Sequence, residues 1–313
     1  MSRELSGRRV LVTGCWEFLG SALVDHLAER NEVIVDDGIL GQPSNRSVAG
    51  PPTDVDLVYY LAPRPSYPVG GRDGTQDSAE RFRDVVEQAR LEDCEAVVYA
   101  STAAGHGDRT DPTTGSVSVT ARAGHEAAKL ASQQYAEYFR THYGMSVASA
   151  RLFSVYGAAG TYEAAGSVVS KFADDVARGR PPKIYGDGTR TRDFVHVDDT
   201  VRALELLGLE GADGIYDVGT GTAHSFEAVV RALAAVFDRE VTPEYADNPI
   251  PGAASVGSTA DCGPLRRDTG WEPATDFEEG IRRVCEPYLE SMRTDGGDAP
   301  EPRQARAAHR DRR

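Results

Sequence analysis

The chain has 313 residues, enough for one large α/β domain with a smaller lobe. Its formal net charge of −15 argues against nucleic acid as a partner, because phosphate binding needs a basic patch. No apolar run reaches the roughly 18 residues of a membrane span, and the four cysteines and seven histidines show no metal-ligand spacing. The first strand pattern in chain order is Arg8 to Thr13, followed by Gly14 and a helix pattern from Phe18 to Glu29. Strands are predicted at Glu32 to Asp37, Asp56 to Ala62, Ala96 to Ser101 and Ser146 to Phe153, and helices at Asp77 to Arg90 and about Gly124 to Tyr143. Past Gly157 the pattern is less regular. Helices are expected at Val168 to Arg178, Thr200 to Leu209 and Phe226 to Phe237, and strands at Asp193 to Val197 and Ile215 to Val218.

Strands alternating with helices imply parallel βαβ units. The expected fold is α/β, a Rossmann-like doubly wound parallel sheet with a smaller C-terminal lobe. Residues 1–157 would form the nucleotide domain, 158–294 the lobe interleaved with the last sheet elements, and 295–313 a disordered tail. The span from Gly38 to Asp54, broken by Gly41, Pro43, Gly50, Pro51 and Pro52, is too short for a full helix-plus-strand insert. One edge strand is therefore expected to be missing, with Asp36 and Asp37 guarding the exposed edge. The amino terminus runs from Arg3 and Glu4 into a strand without an apolar leader, so a cytoplasmic protein is expected. Lysine occurs only at 129, 171 and 183. The acidic, arginine-rich surface suits a halophilic cytoplasm of high ionic strength, and a GC-rich genome would give the same bias.

Thr13 to Gly20, TGCWEFLG, joins a strand to a helix, the context in which a glycine-rich turn binds a dinucleotide. Gly14 suits the tight turn and Gly20 close helix packing, with Phe18 and Leu19 opening the helix. Glu17 stands where a glycine would let the backbone approach a pyrophosphate. One like-charge pair there, at about 4 Å and an effective dielectric of about 20, costs about 4 kcal/mol. Asp37 ends the second strand where a ribose would be held, with Asp36 as its neighbour. The absence of a closely following arginine favours NAD over NADP.

Three further segments matter: STAAGHG from Ser101, GHEAAKLASQQY from Gly124, and YGDGTRTRDFVHVDD from Tyr185 to Asp199. Together with the turn at Gly14 they resemble the extended short-chain dehydrogenase/reductase family, the NAD-dependent epimerases and dehydratases similar to UDP-glucose 4-epimerase. ADNPIP and Ser258 to Ile281 extend the resemblance to about Tyr288. The resemblance implies a nucleotide-diphosphate sugar as substrate. It places Thr102 on the reacting sugar oxygen, Lys129 on the nicotinamide ribose and Arg192 on the diphosphate. The family carries a tyrosine four residues before that lysine, and here the residue is His125. Ser78, Ser154 and Asp217 stand where the family has asparagine, Ser154 on the substrate side.

Two readings follow. In one, His125 replaces tyrosine as proton carrier in an active epimerase or dehydratase, since an imidazole is a plausible base near neutral pH. In the other, the chain is a nucleotide-sugar-binding or partner subunit without turnover. The resemblance also implies a homodimer, or a heterodimer with a paralogue, through the helix bearing Lys129. Ala127, Ala128, Ala131, Tyr135 and Phe139 are expected to form that face.

Overall fold

The apolar runs of the first half pair into one parallel sheet. The chain is described from a computed structural model covering residues 4–14, 18–36, 54–61, 76–103, 124–158, 167–247 and 259–294. Its first half contains β1 (Arg9–Thr13), α1 (Phe18–Ala28), β2 (Glu32–Asp36), β3 (Leu57–Tyr60), α2 (Gln76–Leu91), β4 (Ala96–Thr102), α3 (Gly124–Tyr143) and β5 (Val147–Leu152). Then come β6 (Ser154–Tyr156), α4 (Val168–Ala177), β7 (Lys183–Tyr185), β8 (Thr191–His196), α5 (Val197–Leu209) and β9 (Gly214–Val218). The last elements are β10 (Ala223–Ser225), α6 (Phe226–Phe237), β11 (Glu244–Ala246), α7 (Gly263–Thr269) and α8 (Phe277–Thr294).

The main sheet has the order β2-β1-β3-β4-β5-β9, with every pair parallel. Alternation along each strand sends side chains to opposite faces. Val10, Val12, Leu57 and Tyr59 meet α1 and α5 in one core. Leu11, Val58, Tyr60 and Tyr99 meet Phe82 and Val86 of α2 and Phe139 of α3 in another. Burial on both faces is why these strands read as unbroken apolar runs. Among the described residues β2 is one edge of this sheet. Residues 38–53 of the span judged too short for a further strand, Asp37 and the 295–313 tail lie outside the described residues. No described helix is long and apolar enough to cross a membrane.

A third core gathers Tyr156, Phe172 and Val176 of α4, Phe194, Val229 and Leu233 of α6, and Ile281 and Val284 of α8. Around it lie a three-stranded sheet, β10-β8-β6, and a parallel pair, β11-β7. The helix expected from Thr200 begins earlier, at Val197. Its cap is His196, whose Nδ1 accepts the Asp198 N–H at 3.3 Å. Of the residues expected on the dimer face, Phe139 is buried in the second core with Tyr135 half-buried against it, Ala128 is buried, Ala131 is exposed, and the Ala127 side chain lies outside what is described.

Candidate active site at the carboxyl edge of the sheet

In chain order β1 leads outward to β2, whereas β3 leads the other way to β4. The order reversal lies between β1 and β3, the kind of switch point outside whose strand carboxyl ends open α/β sheets bind their ligands. Gly14 follows β1 with φ of +73°. A Cβ there would run into the carbonyl oxygen of Leu61, just past β3, so both conformation and space require glycine. Gly20 is buried within α1. A Cβ added to Gly157 would meet the Phe18 ring at 2.8 Å, which seats Phe18 against the end of β6, and Leu19 packs on the first core. Both side chains thus serve packing, and their backbone N–H groups remain as what the first turn of α1 can offer an anion. From Phe18 onward that first turn carries no acidic side chain. Thr13 Oγ1 is buried and has no hydrogen-bond partner among the described residues. Glu17 and Asp37 lie outside the described residues. Asp36, the neighbouring ribose candidate, is paired with Arg81 of α2 at 2.9 Å.

Thr102 ends β4, half-buried, beside Leu152 of β5. Lys129 reaches this edge from α3, and its ammonium donates to the Ala100 carbonyl. It also lies 5.2 Å from the centre of the Tyr99 ring, a cation–π contact. Tyr99 returns a hydrogen bond from its hydroxyl to the Lys129 carbonyl at 2.7 Å. Burial pushes the Tyr99 hydroxyl far above its ordinary range, so it stays a neutral donor. The structure thus brings Lys129 to the end of β4 that carries Thr102. His125 lies one turn earlier on the same helix, and its side chain is outside what is described.

Arg192 lies on β8, half-buried. Burial, and then the neighbouring Arg190, lower its pKa. Asp193, the acid next to it, is committed elsewhere. It accepts the Thr220 N–H at 2.8 Å and hydroxyl at 2.7 Å, the Gly221 N–H at 2.8 Å and the Ala260 N–H at 3.0 Å. Ser154 stands opposite Phe194 in the β6–β8 ladder, half-buried.

Sequence reasoning missed a charge pair beside this edge. Arg151 of β5 donates through Nε to Asp217 of β9 at 2.6 Å, and both side chains are almost wholly buried. Asp217 also accepts the Asp261 N–H at 3.1 Å. The sequence showed Asp217 only as a lost asparagine. The available signal was an arginine in register on the adjacent strand.

Residues 10–219 match the family model described as the NAD dependent epimerase/dehydratase family. The chain belongs to this family. The UDP-glucose 4-epimerase of Mycolicibacterium smegmatis is 29% identical to it over 307 residues, spanning 89% of this chain and 97% of its own. A structure of the UDP-glucose 4-epimerase of the hyperthermophilic eubacterium Thermotoga maritima with UDP-glucose has a TM-score of 0.78 at 25% identity, covering 91% of this chain and 99% of that one. The UDP-N-acetylglucosamine 4-epimerase of Methanobrevibacter ruminantium, solved with UDP-N-acetylmuramic acid, shares the fold with a TM-score of 0.79 at 23% identity, covering 92% and 100%. A dinucleotide bound at such a switch point sets its pyrophosphate on the first βα turn, and the reversal between β1 and β3, Gly14 and the start of α1 fit that placement.

Proposed function

We propose that this chain epimerises or dehydrates the sugar of a nucleotide-diphosphate sugar. The observation that carries this reading is Lys129, drawn by the Ala100 carbonyl to the strand end that bears Thr102. Bound NAD would supply a reversible hydride acceptor at the sugar. Gly14 and the first N–H groups of α1 at Phe18 and Leu19 would hold its pyrophosphate, and Lys129 its nicotinamide ribose. Arg192 grips the substrate diphosphate with a forked donor set, and Ser154 lines the same side. Thr102 hydrogen-bonds the reacting sugar oxygen, and His125 carries the proton from it. Positions four apart share a helix face.

A second reading is favoured by the sequence at Glu17 and by histidine in place of tyrosine at 125. In that reading the chain binds a nucleotide sugar without turnover and assists a partner subunit. Mass spectrometry of molecules released on denaturation, followed by assay with UDP-sugars, separates the two. Near-equimolar NAD with turnover that falls at least about a hundredfold in His125→Ala supports the enzyme. Undiminished turnover in that variant removes His125 from the mechanism, and a nucleotide sugar without NAD supports the subunit.

A further inference from the structure

His224 of β10 stands directly opposite Arg192 in the antiparallel ladder with β8. Opposed residues in such a ladder share a face, with Cβ atoms about 4.5–5.5 Å apart. The His224 ring lies flat on Phe277, the first residue of α8, with centroids 3.9 Å apart and planes at 6°. The stack fixes the plane of the half-buried imidazole and leaves its nitrogens at the ring edge.

The charges around it are mixed. Arg192 lies across the ladder, with Arg190 two residues before it on the same chain segment. Asp276, just before α8, interacts electrostatically with His224, and Asp187 interacts with Arg190. Asp276 already accepts the Glu278 N–H at 3.0 Å and, more weakly, that of Glu279 at 3.5 Å, and a hydrogen bond with the Glu278 side chain is the largest cause holding its carboxyl low. A protonated His224 would meet the Asp276 carboxylate and also the Arg192 guanidinium. A phosphate group held between the two cations relieves their repulsion, so protonation and anion binding reinforce each other.

We propose that His224 is a second phosphate contact beside Arg192, a protonatable residue that tightens binding of the nucleotide-sugar diphosphate when charged. The inference rests on the reading that Arg192 grips that diphosphate. It makes substrate and product retention dependent on pH through a residue outside the family motifs.

The test is calorimetric titration of the full chain with UDP-glucose. Both of its phosphates are esterified, so neither passes through the second ionisation near pH 6 of a terminal phosphate. Affinity at about pH 5.5 should be about tenfold tighter than at about pH 8. His224→Phe keeps the stack on Phe277 and removes the charge. It should match wild type at the alkaline end and lose the acidic gain. His224→Gln should behave likewise and serves if the Phe variant does not fold. An acidic gain that survives in both variants, or is absent from wild type, overturns the proposal. Arg192→Met separates the two layers. Weak binding at every pH with the gain intact in the His224 variants discards His224 alone. Unchanged binding in Arg192→Met discards the Arg192 reading and the proposal together.

Discussion

The buried pair of Arg151 and Asp217 joins the last two strands of the main sheet just short of the edge where Thr102 ends β4. A buried charge pair stabilises little relative to a well-packed apolar pair, but removing one partner exposes the full cost of the other. Asp217→Ala should therefore lower stability by about 3–5 kcal/mol, read from the urea midpoint. Asp217→Asn should cost less, since the amide oxygen still accepts from Arg151 Nε, while the Asp261 N–H, which bonds the other carboxylate oxygen, loses its acceptor. Equal losses in the two variants would show that the charge itself, not the acceptor, holds these strands. Legibility at this scale was uneven. Gly14 and Lys129 were readable because backbone geometry and a rare lysine mark them. Asp193 and Asp217 were not, because their partners are loop N–H groups and a strand neighbour far away in sequence.

Among the elements, α5 shows how acidic side chains organise the fold. Asp199 accepts the N–H groups of Ala274 and Thr275 at 3.0 and 2.9 Å, and its carbonyl takes the Trp271 indole N–H at 2.9 Å. Glu205 reaches the other way, accepting the Leu5 N–H at 2.8 Å, meeting His26 of α1 at 3.0 Å, and pairing with Arg202. Burial alone would raise the Glu205 carboxyl, but the hydrogen bonds from His26, Leu5 and Arg202 outweigh it and hold it at about 2. The folded value lies below the ordinary glutamate value of about 4.3. Its contribution is therefore complete above that range and is lost as pH falls towards about 2. Urea midpoints from pH 6 downward should fall for wild type. Glu205→Gln should be less stable at pH 6 and flatter below the glutamate range, and parallel curves would contradict the assignment. Strand and helix identity in the first half was legible because its elements are long. The three-residue strands β6, β7, β10 and β11 are too short for any period to register. The start of α5 was misplaced because its cap is a histidine, and α8 carries Pro287 inside it, which reads as a break.

For the whole molecule, the sign of the salt response follows from two opposed terms. Most ion pairs among the described residues are exposed, such as Arg282 with Glu279 and Arg140 with Glu137, and each such pair contributes about 0–1 kcal/mol that salt erodes. Against them stands a net charge of −15, a self-repulsion that acts between carboxylates spread over the whole surface. That repulsion is long-ranged. Salt therefore weakens it first, while the Debye length shrinks from about 10 Å at about 0.1 M to about 3 Å at about 1 M. Contact pairs, closer than either length, are screened less. The repulsive term should dominate, so the melting temperature should rise steeply with potassium chloride up to about 1 M and then level off. A linear rise that continues beyond that point would indicate exclusion of salt from the surface instead of screening. A fall would show that the arginine–carboxylate pairs outweigh the excess of acid, and the halophilic reading of the arginine-rich, lysine-poor surface would fall with it.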